Sequence, residues 1–166
     1  MLIICEGPDG SGKSTLARAV ANRLGYGFTR MTIPNRHCIE NLSYVYSHTI
    51  TDLARTCDIV SDRGLITPIV YSKIFERKQN HDYVKKLIKK CGEDIFFVLI
   101  LPETPFRATD DVLKNKKLYK RALKEYYKML KYLQNLNCRY IAITEKFTKE
   151  EMEDIAVSTI LEYPEY

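Results

Sequence analysis

The sequence predicts a three-layer α/β fold, a parallel sheet of about five strands with helices on both faces. Three observations lead there. Four short runs, "LIIC" (2–5), "CDIVS" (57–61), "IFFVLIL" (95–101) and "RYIAIT" (139–144), are rich in branched and aromatic residues without strict alternation. Such runs suit strands covered on both faces. Longer amphipathic stretches separate them, and strands alternating with helices imply parallel pairing. Finally, "GPDGSGKST" (7–15) stands where the first apolar run gives way to the first helical pattern.

Taken in order, the first strand at 2–5 leads through that glycine-rich string into a helix over 14–24. A weaker strand signal covers 26–32 and a helical pattern 39–55. After the strand at 57–61, helices are expected over roughly 67–77 and 81–91. Beyond the strand at 95–101, Thr104 before Pro105 reads as a helix start, since proline suits a first helical turn. A long helix over 113–136 repeats Leu118, Ala122, Tyr126 and Leu130 every four residues, which gives an apolar stripe and a wet, lysine-rich face. "TKEE" from Thr148 is a capping box that opens the last helix.

The 166 residues, 45% hydrophobic, can bury about two thirds of their unfolded surface, enough for a single domain over 1–166. No run approaches the roughly 18 apolar residues needed to cross a bilayer, so a soluble protein is expected. Five scattered cysteines form no CxxC or His/Cys cluster; they read as small buried hydrophobes in a reducing cytoplasm. The net charge of +5 suits anionic ligands. Because the lysines spread along helical faces instead of forming one dense arm, the charge points to phosphate and away from nucleic acid.

The string 7–15 matches GxxxxGK[ST], a loop whose glycines let successive N–H groups turn inward on a phosphate in front of a helix N-terminus. Gly7, Gly10 and Gly12 supply the freedom, and Asp9, Ser11 and Thr15 complete the loop. Lys13 would reach the outer phosphates as a point charge, and the Ser14 hydroxyl would ligate Mg²⁺. No guanine-reading NKxD is present, since "NKKL" at 115–118 lacks the aspartate. A motor or AAA-type ATPase is expected to need a longer chain. The small size points to a kinase of a small acceptor, with ATP as donor.

In "CDIVSDRGLITPIVYS" the strand delivers Asp62 and Arg63 to its C-terminal end, the edge of an open parallel sheet where ligands bind. Asp62 could act on the metal or its waters, and Arg63 could grip an acceptor phosphate with its planar fork.

"CEGPDGSGKST" resembles the first strand and P-loop of thymidylate kinases, FEGxDGxGKST, and "SDRGLITPIVY" resembles their DR-aromatic-xx[ST]xxAY segment. "TIPNR" (32–36) is similar to their FPxR stretch, and "YIAITEKFTKEEMEDI" to their last strand, adenine-side loop and closing helix. The resemblance covers most of the chain in order and implies a P-loop kinase fold, with ATP and Mg²⁺ as donor and cofactor and a pyrimidine deoxynucleoside monophosphate as acceptor. It also implies that Asp9 accepts a hydrogen bond from a sugar 3′-hydroxyl, that Arg63 and Arg36 hold the acceptor's phosphate with Arg30 a weaker substitute, and that Thr67 lies near the base. Tyr71 is a candidate pocket wall. Ile33 stands where the family has a base-stacking phenylalanine, Gly64 where it has a bulky residue after the DR pair, and His48 could stand in for a base-reading arginine. Members with glycine at the position of Gly10 usually place arginines in a lid; here the lid is expected around 103–118, with Arg107 its cation. Members are often homodimers.

Glu6, just before the loop, is the leading carboxylate if a general base is required, with a metal-shell or structural hydrogen-bond acceptor as the alternative. Other readings are a deoxynucleoside kinase, a polynucleotide end kinase and a nucleotide-responsive binding module. Intact Lys13, Ser14, Asp62 and Arg63 argue against the last.

Overall fold

The computed structural model describes residues 1–31, 48–49, 52, 56–77, 81–92, 94–106 and 116–163. Five strands, β1 (Leu2–Glu6), β2 (Gly27–Arg30), β3 (Ile59–Asp62), β4 (Ile95–Ile100) and β5 (Arg139–Ile143), form one sheet in the order β2-β3-β1-β4-β5. Every pairing is parallel. The described residues also contain α1 (Lys13–Leu24), α2 (Ile66–Ile74), α3 (His81–Cys91), α4 (Lys116–Asn135) and α5 (Lys149–Glu162).

The unbroken apolar runs are explained by a core on each face. Along β1, Leu2 and Ile4 turn toward α2, α3 and α4, whereas Ile3 and Cys5 turn toward α1 and α5. In β4, Phe97 and Leu99 join the first core while Phe96, Val98 and Ile100 join the second. A strand with period two and two dry faces has no polar face to display, so both sets must be apolar. This is the three-layer α/β architecture the sequence predicts.

Some elements differ from expectation. The weak strand at 26–32 is β2, an edge strand with largely exposed residues. On α4 the buried positions are Tyr119, Ala122, Tyr126, Met129 and Leu133. A strict four-residue repeat rotates about 40° per step around a helix of 3.6 residues per turn, which leaves Leu118 and Leu130 at the margins, partly buried. No helix starts at Thr104; there the chain is tied to the glycine-rich loop by Phe106 N–H donating to the Gly10 carbonyl, 2.8 Å. The Thr148 capping box is present, with Glu151 N–H on Thr148 Oγ1 at 3.2 Å and Thr148 N–H on Glu151 Oε2 at 2.8 Å. Cys5, Cys91 and Cys138 are buried, whereas Cys57 is exposed. Of the pattern at 39–55, His48, Thr49 and Asp52 are helical and the rest lies outside the described residues. No helix among the described residues is long and apolar enough to cross a membrane.

Candidate active site

The loop from Gly7 to Thr15 joins β1 to α1. A Cβ on Gly7 would stand 2.3 Å from the Ile100 carbonyl oxygen and 2.8 Å from Ser11 Oγ, so only glycine fits that approach. Gly12 caps α1 at φ 86°, with no side chain bonded to the helix end and no acidic residue in its first turn. The positive end of the helix is thereby left for an anion. Lys13, 4% exposed, folds back over the loop, its Nζ donating to the Pro8 carbonyl at 3.2 Å and to Asp9 Oδ1 at 3.1 Å.

β1 and β3 are neighbours with Cys5 opposite Asp62, which brings Asp62 and Arg63 beside the loop. Arg63 leaves the strand at φ 75°, a left-handed conformation costly for a non-glycine residue. It is held there by its N–H on the Cys5 carbonyl, 2.9 Å, and by Ser61 Oγ donating to its carbonyl, 2.7 Å. The Arg63 guanidinium pairs with Asp9, and Asp9 N–H donates to Tyr71 Oη at 3.0 Å. Asp9 therefore bridges Lys13 and Arg63, residues that belong to different strand-loop units.

The electrostatics follow. Burial pushes the Asp9 carboxyl up, but the Lys13 and Arg63 cations outweigh it and leave its pKa below the usual range. For Lys13, burial lowers the pKa more than Asp9 raises it. Arg63 is raised, the carboxylate and phenol neighbours overcoming burial. Asp9 and Arg63 are both shifted toward their charged forms, and with Lys13 they make a salt-bridged cluster on the cavity.

Glu6 is fully buried and caps α2: Ile66 N–H donates to Oε1 at 2.8 Å and Thr67 N–H to Oε2 at 3.1 Å, joined by the Thr67 hydroxyl. That hydroxyl also lies 2.9 Å from Tyr126 Oη. Burial raises the Glu6 pKa against these bonds. With three donors on it, Glu6 is a structural acceptor, the alternative to a general base, and it fixes the turn that presents Arg63.

Lys13, Ser14, Thr15, Asp9, Gly10, Gly12, Arg30 and Arg63 line one cavity of about 450 Å³ with Phe106, Phe147, Thr148, Lys149 and Met152. Gly7, Ser11, Asp62, Thr67 and Tyr71 do not line it. Ile33, Arg36, Arg107 and the lid from 107 to 115 lie outside the described residues. His48 Nε2 is 3.1 Å from the Tyr83 hydroxyl, on the exposed side of the molecule. Phe106 has no sequence signal, being a lone aromatic after a proline. Phe147 falls in the expected adenine-side loop.

Among the described residues no three His, Cys, Asp or Glu side chains gather as a metal cage. The fit to a hard cation is of another kind. Asp62 is fully buried and neither carboxylate oxygen has a hydrogen-bond partner among the described residues, while Ser14 lines the cavity from the start of α1. Oxygen donors from one carboxylate and one hydroxyl, completed by waters and phosphate oxygens, are what Mg²⁺ takes.

The family model for the ATPase family associated with various cellular activities (AAA) matches residues 3–155. The chain belongs to this family. The expectation that an AAA-type ATPase needs a longer chain is thereby overturned: the match runs from β1 into α5, and 166 residues suffice to build that sheet and its helices. No curated protein matches in sequence. Among solved structures, YorR from Bacillus subtilis in complex with phosphorylated GDP is 20% identical, with a TM-score of 0.72 over 98% of this chain and 97% of that one. Deoxyadenosine kinase from M. mycoides with products dCMP and a flexible dCDP is 13% identical, TM-score 0.64, covering 98% and 99%. Thymidylate kinase from Ehrlichia chaffeensis is 18% identical, TM-score 0.58, covering 98% of each chain. The fold of this AAA-family chain is thus that of P-loop kinases, as the sequence resemblance implies.

Proposed function

We propose that the protein transfers the γ-phosphate of ATP to the 5′-phosphate of a pyrimidine deoxynucleoside monophosphate, dTMP or a 5-substituted dUMP. The observation that carries this reading is Asp9 set between Lys13 and Arg63 on one cavity. Gly10, Gly12, Ser11 and Thr15 wrap the donor's phosphates, and Lys13 lies against the γ-phosphate. Arg63, with Arg36, holds the acceptor's phosphate, and Asp9 takes the sugar 3′-hydroxyl once Arg63 has turned to that phosphate. Tyr71, Thr67 and Ile33 support the base side, and Arg107 closes from the lid.

Mg²⁺, held by Ser14 and by Asp62 through its waters, would screen the two anions and withdraw charge from the transferring group. An acceptor phosphate oxygen attacks γ-phosphorus in line as the bond to the β–γ bridging oxygen breaks, and ADP leaves. A phosphate acceptor is already anionic near neutral pH and needs positioning more than a base, which agrees with Glu6 being committed to α2. A second reading, a nucleoside kinase, draws on Asp62, whose carboxylate accepts no hydrogen bond among the described residues and could serve as the base a 5′-hydroxyl requires.

Purified protein with Mg²⁺, ATP and a panel of nucleosides, monophosphates and short oligonucleotides tests both. Diphosphate from one pyrimidine monophosphate supports the proposal, and nucleoside monophosphate product selects the second reading. Labelled oligonucleotide, or ATP hydrolysis indifferent to every acceptor, overturns both.

A further inference from the structure

Asp62 closes β3 beside the cavity-lining Arg63. It is fully buried, with both oxygens lacking hydrogen bonds among the described residues, and a buried carboxylate in that condition depends on a counter-charge. Among the described residues the cation within ion-pair distance of it is Arg30, while Lys13 and Arg63 act on it from farther off. β2 and β3 pair so that Arg30 stands opposite Asp62, and Arg30 Nε lies 3.4 Å from Asp62 Oδ2. A well-seated guanidinium–carboxylate pair makes two parallel bonds of about 2.8 Å, so this contact is long and single-pronged. The Arg30 side chain is also 47% exposed and lines the cavity with Lys13, Ser14 and Arg63.

We propose that Arg30 is a displaceable counter-ion: without metal it neutralises Asp62, and when a hydrated divalent cation takes over that carboxylate Arg30 turns into the cavity to hold an acceptor's phosphate. A dication and a guanidinium cannot both sit against one buried carboxylate without strong repulsion. The waters of a dication can donate to both Asp62 oxygens, whereas Arg30 reaches one. Released, the guanidinium is already on the cavity wall, across from the loop. Metal and acceptor phosphate then strengthen each other's binding by the same factor, as linkage requires. The acceptor half of this inference rests on the kinase reading; the exchange on Asp62 does not.

The test is a double-mutant cycle of Arg30→Gln and Asp62→Asn, read by thermal unfolding in EDTA and again in MnCl₂. In EDTA the two substitutions are expected to be non-additive by roughly 2–4 °C, Mn²⁺ abolishes the non-additivity, and Arg30→Lys, which keeps the charge, retains it. Additivity in EDTA, or coupling that survives Mn²⁺, overturns the exchange. Should Asp62→Asn fail to fold, Arg30→Gln alone decides, because Mn²⁺ must raise its melting temperature more than that of the wild type; an equal or smaller rise overturns the exchange. For the acceptor half, calorimetry with thymidine 5′-monophosphate as the probe is expected to show roughly ten-fold tightening by Mn²⁺ in the wild type and none in Arg30→Gln. No tightening in the wild type, or tightening retained in Arg30→Gln, overturns it. A wild type with metal-sensitive coupling that forms no diphosphate from ATP would refute the kinase reading alone.

Discussion

Replacing Glu6 with glutamine changes one atom and tests how the active-site turn is held. The carboxylate accepts from Ile66 N–H, Thr67 N–H and the Thr67 hydroxyl in a fully buried place. Glutamine keeps one acceptor oxygen and turns its amide N–H₂ toward a donor. The Thr67 hydroxyl retains Tyr126, so one backbone N–H at the start of α2 is left unsatisfied, a loss of about 1–3 kcal/mol. That is a large part of the 5–15 kcal/mol typical of a domain. Urea unfolding at neutral pH should show it as a lower midpoint with an unchanged slope.

The pH dependence gives a second, signed test. Burial raises the Glu6 pKa in the folded state, so between the unfolded value of about 4.3 and the raised one the folded protein binds more protons than the unfolded chain. Wild-type stability therefore gains most from Glu6 below the unfolded pKa and loses that gain as pH rises through the folded pKa. Glutamine does not titrate. Its deficit should be largest in acid and shrink as pH rises through that window. A deficit below about 0.5 kcal/mol at every pH would refute the account of Glu6 as the cap of α2, and one that grows with pH would refute the raised pKa.

Arg63→Ala should weaken use of a monophosphate acceptor by roughly 10–100-fold, the worth of a charge-assisted contact, with a far smaller change in ATP binding by calorimetry. Gly12→Ala places a side chain at φ 86° with its Cβ only 3.4 Å from Phe106; strain of about 1–2 kcal/mol should appear in urea unfolding, accompanied by loss of nucleotide-induced stabilisation. Thr148→Ala removes the capping box of α5 and should lower the melting temperature by roughly 2–4 °C.

The strands could be read because two dry faces demand unbroken apolar runs, and β1 and β4 have them. β3 begins at Ile59, two residues later than the apolar pattern, because Cys57 and Asp58 lie outside the pairing with β1, which starts at Ile59 opposite Leu2. The loop 7–15 was legible because its motif is contiguous, although what requires glycine at Gly7 is the Ile100 carbonyl at the far end of β4. What joins Asp9 to Arg63 and Glu6 to α2 was not, since those partners are 54 and 60 residues apart and meet only because β3 lies beside β1. The α4 stripe is legible only in part for a geometric reason: a period of four on a helix of 3.6 keeps Ala122 and Tyr126 in the core but drifts to its margin at Leu118 and Leu130.

If the proposed kinase reading holds, the same cross-strand meeting favours a nucleotide over a nucleoside. Asp9 holds two cations through Oδ1, and a ligand that takes only its carboxylate would strand Arg63, whose Nε is already buried without a hydrogen-bond partner among the described residues. A monophosphate bearing a 3′-hydroxyl does both tasks, its phosphate replacing Asp9 on Arg63 and its hydroxyl occupying the acceptor that exchange releases. The two halves are coupled, which Asp9→Asn can measure. Wild-type protein should bind thymidine 5′-monophosphate about ten-fold more tightly than its 3′-deoxy analogue, as expected for a hydrogen bond to a charged group. The asparagine variant should bind the two about equally. If wild type does not distinguish them, Asp9 does not meet the sugar, and the carboxylate serves only to hold Lys13 and Arg63.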